Sequence, residues 1–239
     1  MVEKTEFLKK IRGVRHNMKT DSNIKFNEYG QPVPYYGNTI ISFLNQLGSQ
    51  IFQEAVFVQN VLRESELAHG LVFLPPESFH MTVLTLCREI DRGSIYWPLE
   101  ISENVVFHEI DRLLKKKVDS TSVPEGIMME IDCCEISKIL LKPYRLEDEE
   151  ALNKYRNRVA EITGIRHKWH DRFRYHISLD YIFREWSVSE ENIKNQLCQE
   201  MTEHLRQKVQ PFVISNPQFV IFNNMMSYET ELSKRGDLY

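Results

Sequence analysis

Phe79-His80-Met81-Thr82-Val83 and Tyr175-His176-Ile177-Ser178-Leu179 are two forms of one pattern, with His176 following His80 by 96 positions. Each sets a His-x-[Ser/Thr] triplet among bulky apolar residues, the composition of a β-strand. A strand sends alternate side chains to opposite faces. Phe79, Met81 and Val83 therefore share one face, and His80 and Thr82 the other. In the second stretch Tyr175, Ile177, Leu179 and Tyr181 face one way; Arg174, His176, Ser178 and Asp180 face the other. One such triplet carries little weight in a chain with eight histidines. Two of them, each in strand context and at matching places in the chain, carry much more.

Outward from these strands the chain reads twice in the same order. The first half has a strand at Asn38–Leu44, an amphipathic helix from about Ser49 to Glu64 and a short strand at Leu71–Pro76. The first histidine strand follows at Phe79–Leu86, then a helix from about Val105 to Lys117. In the second half, strands at Gly126–Ile136 and Lys138–Leu146 suggest a hairpin. The acidic opening and Gly164 ending of LEDEEALNKYRNRVAEITG suit a helix dipole and a glycine stop. A single strand is expected over Phe173–Ile182, a helix from about Ser189 to Gln210, and late strands near Pro211–Ile214 and Gln218–Phe222. The reading is α+β: two pseudo-symmetric lobes, each an antiparallel sheet with helices on its outer face, and an active cleft between them. The whole chain, 1–239, forms one bilobal domain, with a first lobe at about 25–117, a second at about 125–225, and an N-terminal helix over 3–19 as an extension.

The bulk numbers fit this picture. Net charge is −4, which argues against wholesale coating of nucleic acid but leaves room for a local phosphate site. The four cysteines, Cys87, Cys133, Cys134 and Cys198, show neither metal spacing nor disulfide density. No apolar run is long enough to span a membrane, and the N-terminus lacks a signal-peptide core. A monomeric, cytoplasmic protein is the expectation.

The paired motifs HMTV and HISL, with GQPVPYYGNTIISFL ahead of the first helix, resemble the 2H phosphoesterase superfamily. Its members include RNA 2′-5′ ligase-like proteins and cyclic nucleotide phosphodiesterases, and the stretch is closest to a poorly characterised, largely microbial branch. The resemblance spans about residues 25–225. It implies a metal-independent phosphodiesterase, without a cofactor, acting on 2′,3′-cyclic phosphates or 2′-5′ linked nucleotides and RNA ends. His80 and His176 would be an acid/base pair, and Thr82 and Ser178 would donate hydrogen bonds to the non-bridging oxygens. Which imidazole is acid and which is base stays open.

Other residues carry two readings each. Arg174 either neutralises phosphate charge or is a solvated strand-edge residue. Tyr36, like Tyr35, either stacks on a base or packs within the protein. The Arg-rich stretch Arg156–Arg174, with Lys168, either guides a nucleic-acid end or presents a solvated helical face. His167 and His170 have a spacing that suits a metal, but no third ligand is near in sequence. No phosphate-binding glycine loop, dinucleotide fingerprint or Gly-x-Ser-x-Gly elbow occurs. Two further functions remain compatible with the same cleft: a non-catalytic module that holds a nucleotide or RNA end, and a hydrolase of cyclic signalling oligonucleotides.

Overall fold

Met81 on one histidine strand pairs antiparallel with Ile177 on the other, and this contact organises the molecule. It was seen in a computed structural model that describes residues 24–44, 49–98 and 100–236. The helix expected over 3–19 lies outside the described residues.

In chain order the strands are β1 (Gly37–Phe43), β2 (Leu71–Phe73), β3 (His80–Arg88), β4 (Met128–Glu135), β5 (Lys138–Pro143), β6 (Tyr175–Ser178), β7 (Asp180–Ile182), β8 (Phe212–Val213) and β9 (Gln218–Phe222). The helices are α1 (Gln50–Glu64), α2 (Phe107–Asp119), α3 (Leu146–Thr163) and α4 (Val188–Lys208). Seven strands form one antiparallel sheet in the order β8-β4-β5-β6-β3-β1-β9. The architecture is therefore α+β, as the sequence implies. The two halves, however, build one continuous sheet rather than two, because β3 and β6 are neighbours. The last strand, β9, crosses back to pair with β1.

The helices cover one face of this sheet. Ile40, Met81, Val83, Ile139, Leu141, Ile177, Phe219 and Ile221 join Leu62, Leu114, Leu152 and Leu205 from the four helices in the main core. Local chemistry sets the helix limits. The Ser49 hydroxyl accepts from Phe52 N at the start of α1, and Ser187 and Glu190 form a reciprocal capping box at α4. Gly164 ends α3 at φ 72°, a left-handed conformation that glycine adopts without steric cost. Gly37 is needed for another reason: a Cβ there would sit 2.2 Å from the ring of Phe222 on β9.

Two expectations need correction. The single strand expected over 173–182 breaks at Leu179. β6 stays in the large sheet, whereas β7 pairs with β2 in a separate two-stranded sheet. The fork is held by Gln59 of α1, whose Nε2 donates to Leu74 O at 2.8 Å and Leu179 O at 2.7 Å. Asp180 consequently leaves the face of His176 and is buried in β7. The second correction concerns Arg156 of α3, which the solvated-face reading of that helix included; Arg158 of the same helix is exposed. Arg156 is only 3% exposed and lies over the ring of Phe173 at 4.6 Å.

Candidate active site

The Met81–Ile177 pair fixes the site's geometry. Continuing its register one residue each way sets His80 opposite Ser178 and Thr82 opposite His176. Directly opposed residues share a face. Met81 and Ile177 are fully buried on the helix side, so the two imidazoles and two hydroxyls stand together on the other face. They form a square in which each histidine has a hydroxyl across from it. The two histidines lie on a diagonal, where residues of an antiparallel sheet are about 7–8 Å apart and their Cβ atoms somewhat closer. That gap is suited to one tetrahedral anion.

Both rings are anchored in the same way. His80 Nδ1 lies 2.7 Å from Ser78 O, and His176 Nδ1 lies 2.9 Å from Arg174 O. A carbonyl only accepts, so each Nδ1 carries the proton and each neutral ring keeps its Nε2 lone pair available. In both cases the carbonyl is two residues back, so the strand itself orients the imidazole. The hydroxyls of Thr82 and Ser178 have no hydrogen-bond partner among the described residues. Those of Thr39 and Ser42, on neighbouring β1, are by contrast bonded to Leu84 O and Ser215 O.

Burial lowers the pKa of both histidines. His80 falls to about 4, chiefly through desolvation, with a further push from His176; the Ser78 carbonyl opposes the shift. His176 is also lowered by burial, with Lys138 adding to the effect and the Arg174 carbonyl and Glu135 opposing it. Burial disfavours an imidazolium because it removes water from the charge.

Two residues that the sequence did not single out border the square. Tyr228 meets His80 edge-on, with ring centroids 4.2 Å apart. It belongs to a second apolar cluster with Phe26, Tyr35, Phe222 and Met225. Lys138 of β5 is directly opposite Ser178, and its Nζ pairs with Glu135 at 3.2 Å. The strand register would have located Lys138 once β5 and β6 were known to be neighbours.

The secondary candidates are placed differently. Arg174 is exposed and lies 3.5 Å from both Asp132 and Glu135. Tyr36 precedes β1 at the end where Gly37 pairs with Arg88, away from the Phe43–His80 pair. His167 Nε2 lies 3.1 Å from Leu86 O, and His170 Nε2 lies 3.0 Å from Asn157 Oδ1. Among the described residues no group of three or more His, Cys, Asp or Glu is arranged to hold a metal ion. None of the described helices is long and apolar enough to cross a membrane.

Residues 25–140 match the family model for 2H-phosphodiesterase, described as a domain of unknown function (DUF1868). That segment resembles the 2H-phosphodiesterase family over just under half of the chain. The matched segment contains β3 and its motif; the partner motif on β6 lies beyond it and is joined to it by the sheet. A conserved protein of unknown function, ATU0111 from Agrobacterium tumefaciens str. C58, has the same fold. It is 23% identical with a TM-score of 0.84, over 89% of this chain and 91% of that one. Weaker likenesses are a phosphoesterase at 11% identity and TM-score 0.44, and Escherichia coli LigT complexed with phosphate at 10% and 0.42. Each of these covers 79% of this chain and 88% of its own. No curated protein matches the chain. The family match suggests an activity of the phosphoesterase type.

Proposed function

We propose that the chain is a metal-independent phosphodiesterase that opens 2′,3′-cyclic phosphates or cleaves 2′-5′ linkages in nucleotides and RNA ends. The observation that supports this reading is the square of His80, Thr82, His176 and Ser178, with both Nδ1 atoms tied to strand carbonyls. One phosphorus between the two Nε2 atoms has a proton acceptor on one side and a proton donor on the other.

The burial of His80 supports one division of roles. His80, lowered to about 4, is neutral at neutral pH and acts as the base. Its Nε2 takes a proton from water as the water oxygen bonds to phosphorus. The phosphorus bond to one ribose oxygen breaks, and His176 Nε2 delivers a proton to that oxygen. Burial also lowers the His176 pKa, with the Arg174 carbonyl and Glu135 opposing it, and a bound phosphate anion would favour the charged ring that delivers this proton. Thr82 and Ser178 donate to the non-bridging oxygens as charge gathers there. The two rings then exchange protons with solvent, and the cycle closes without a metal.

Hydrolysis of a nucleoside 2′,3′-cyclic phosphate in the presence of EDTA tests this. Replacing either histidine with alanine should lower kcat by about 10²–10⁴. Replacing Thr82 or Ser178 should cost about 10–10² through a lost hydrogen-bond donor. Activity that EDTA abolishes and zinc restores, or full turnover by His176→Ala, defeats the proposal.

A further inference from the structure

Arg156 is a buried cation without a counter-ion. The residue is only 3% exposed. Its Nη2 donates to His170 O at 2.7 Å, its Nε has no partner, and no carboxylate pairs with it among the described residues. An uncompensated charge in such a place is costly unless something of opposite sign comes to meet it.

That space exists. Arg156 borders a cavity of about 410 Å³ whose wall also includes Thr85 and Arg88 of β3, and His167, Lys168 and Trp169 from the segment after α3. None of the lining residues is acidic. Arg88 is neutralised by a two-pronged bond to Asp91, at 2.7 and 2.8 Å. Lys168 makes no ion pair among the described residues and lies over the Trp169 ring at 4.9 Å. Two positive charges, those of Arg156 and Lys168, therefore border the cavity without a carboxylate partner among the described residues, Arg156 lying over the rings of Phe173 and Tyr175. The Arg156 charge also contributes to the low pKa of His170, which burial first and then Arg156 bring to about 4.

The cavity adjoins the histidine square. β6 begins at Tyr175, whereas β3 runs on to Arg88, and the segment before β6 fills the resulting wedge, with His167 Nε2 against Leu86 O. Phe173 of the cavity wall lies 6.5 Å from the His176 ring, centroid to centroid. Thr85 lies three residues along β3 from Thr82, about 10 Å of extended chain. A group in the cavity is therefore separated from a phosphorus at the square by a spacer the size of a sugar or more. A directly attached second phosphate would be too close.

We propose that this cavity is a second anion subsite, and that the substrate is a phosphodiester carrying a further phosphate across an intervening sugar. Arg156 supplies the guanidinium, Lys168 a second charge at the rim, and the exposed Trp169 ring an apolar platform beside it. This specificity rests on the function proposed above, since it takes the square as the place where the first phosphate sits.

Calorimetric titration with adenosine 3′,5′-bisphosphate and with adenosine 3′-monophosphate tests it. The wild-type protein should bind the bisphosphate at least about tenfold more tightly. In Lys168→Ala and in Arg156→Gln that ratio should fall to about two or less. Equal affinities in the wild type, or a ratio that survives the substitutions, overturns the subsite. Lys168 is exposed, so its variant decides the matter if Arg156→Gln does not fold. Failure of the catalytic reading looks different: no phosphodiester is turned over, yet the bisphosphate preference and its dependence on Lys168 remain.

Discussion

Tyr228 stands edge-on to the His80 imidazole at 4.2 Å, so a residue that follows β9 covers one side of a ring on β3. Desolvation is the main cause of the low His80 pKa. Tyr228→Ala opens that side of the ring and should move the pKa from about 4 back toward its ordinary 6.5. Tyr228→Phe keeps the ring contact and should leave it near 4. Titration of the His80 ring protons by NMR checks both. An unchanged value in Tyr228→Ala would show that the sheet and the β1 side alone desolvate the histidine.

The same shifts set the pH dependence of turnover. If His80 must be unprotonated, kcat/KM rises as pH climbs through about 4. If His176 must be protonated, kcat/KM falls above its own pKa, which lies below the ordinary 6.5. The maximum should therefore lie between about 4 and 6.5. The kcat profile should sit at higher pH, because a bound phosphate anion stabilises the imidazolium. A kcat/KM maximum above neutrality would contradict this assignment.

Asp180 gives a stability prediction of opposite sign. Both of its carboxylate oxygens are buried without a hydrogen-bond partner. Burial holds its pKa well above the ordinary 3.8, against the pull of Arg63. The folded state therefore keeps this proton at pH values where the unfolded chain has released it, and stability falls as pH rises above 3.8. Asp180→Asn removes that dependence. It should stabilise the protein by about 1–3 kcal/mol near neutrality and by almost nothing at pH 3 to 3.5. Thermal unfolding of both proteins across this range measures the difference.

What the sequence made legible was what depends on neighbours in the chain. The two-residue period of a strand fixed the face of His80 and Thr82, and of His176 and Ser178, before any pairing was known. Ser187 with Glu190, and Gly164, marked helix ends through bonds made within a few residues. The break at Leu179 was not legible, because it depends on Gln59, 120 residues away, capturing the Leu179 carbonyl. β3 also carries two irregularities in its pairing with β1. They bring Thr82, Thr85 and Arg88 to partial exposure at every third position, a spacing that alternation does not predict. For Arg156 the signal was present but outweighed. Leu152, Tyr155, Arg156 and Val159 follow the spacing of a buried helix stripe, yet charge suggested a surface position. Tyr228 lies past the end of the family resemblance, and nothing local links it to His80.

A last prediction concerns how the C-terminal segment that carries Tyr228 is fastened. Arg235 and Asp111 form a two-pronged pair at 2.7 Å for each bond, with side chains 4% and 1% exposed. Arg235 also donates to Gly37 O and Phe222 O, and Asn38 Nδ2 donates to the same Asp111 at 2.9 Å. The pair therefore joins α2, β1 and β9 to the segment after Tyr228. Asp111→Leu leaves a buried guanidinium without its partner, Arg235→Met leaves a buried carboxylate without its own, and each should cost about 3–5 kcal/mol. In Arg235→Met/Asp111→Leu both charges are gone, and much of that loss should return. The His80–Tyr228 contact need not return with it, because the double variant no longer bonds Gly37 O and Phe222 O. Urea unfolding of the single and double variants gives the coupling energy. The His80 pKa, followed in the same proteins, shows whether fastening at Arg235 is felt at the histidine. Additive losses in the two single variants would mean that the pair does not act as a unit.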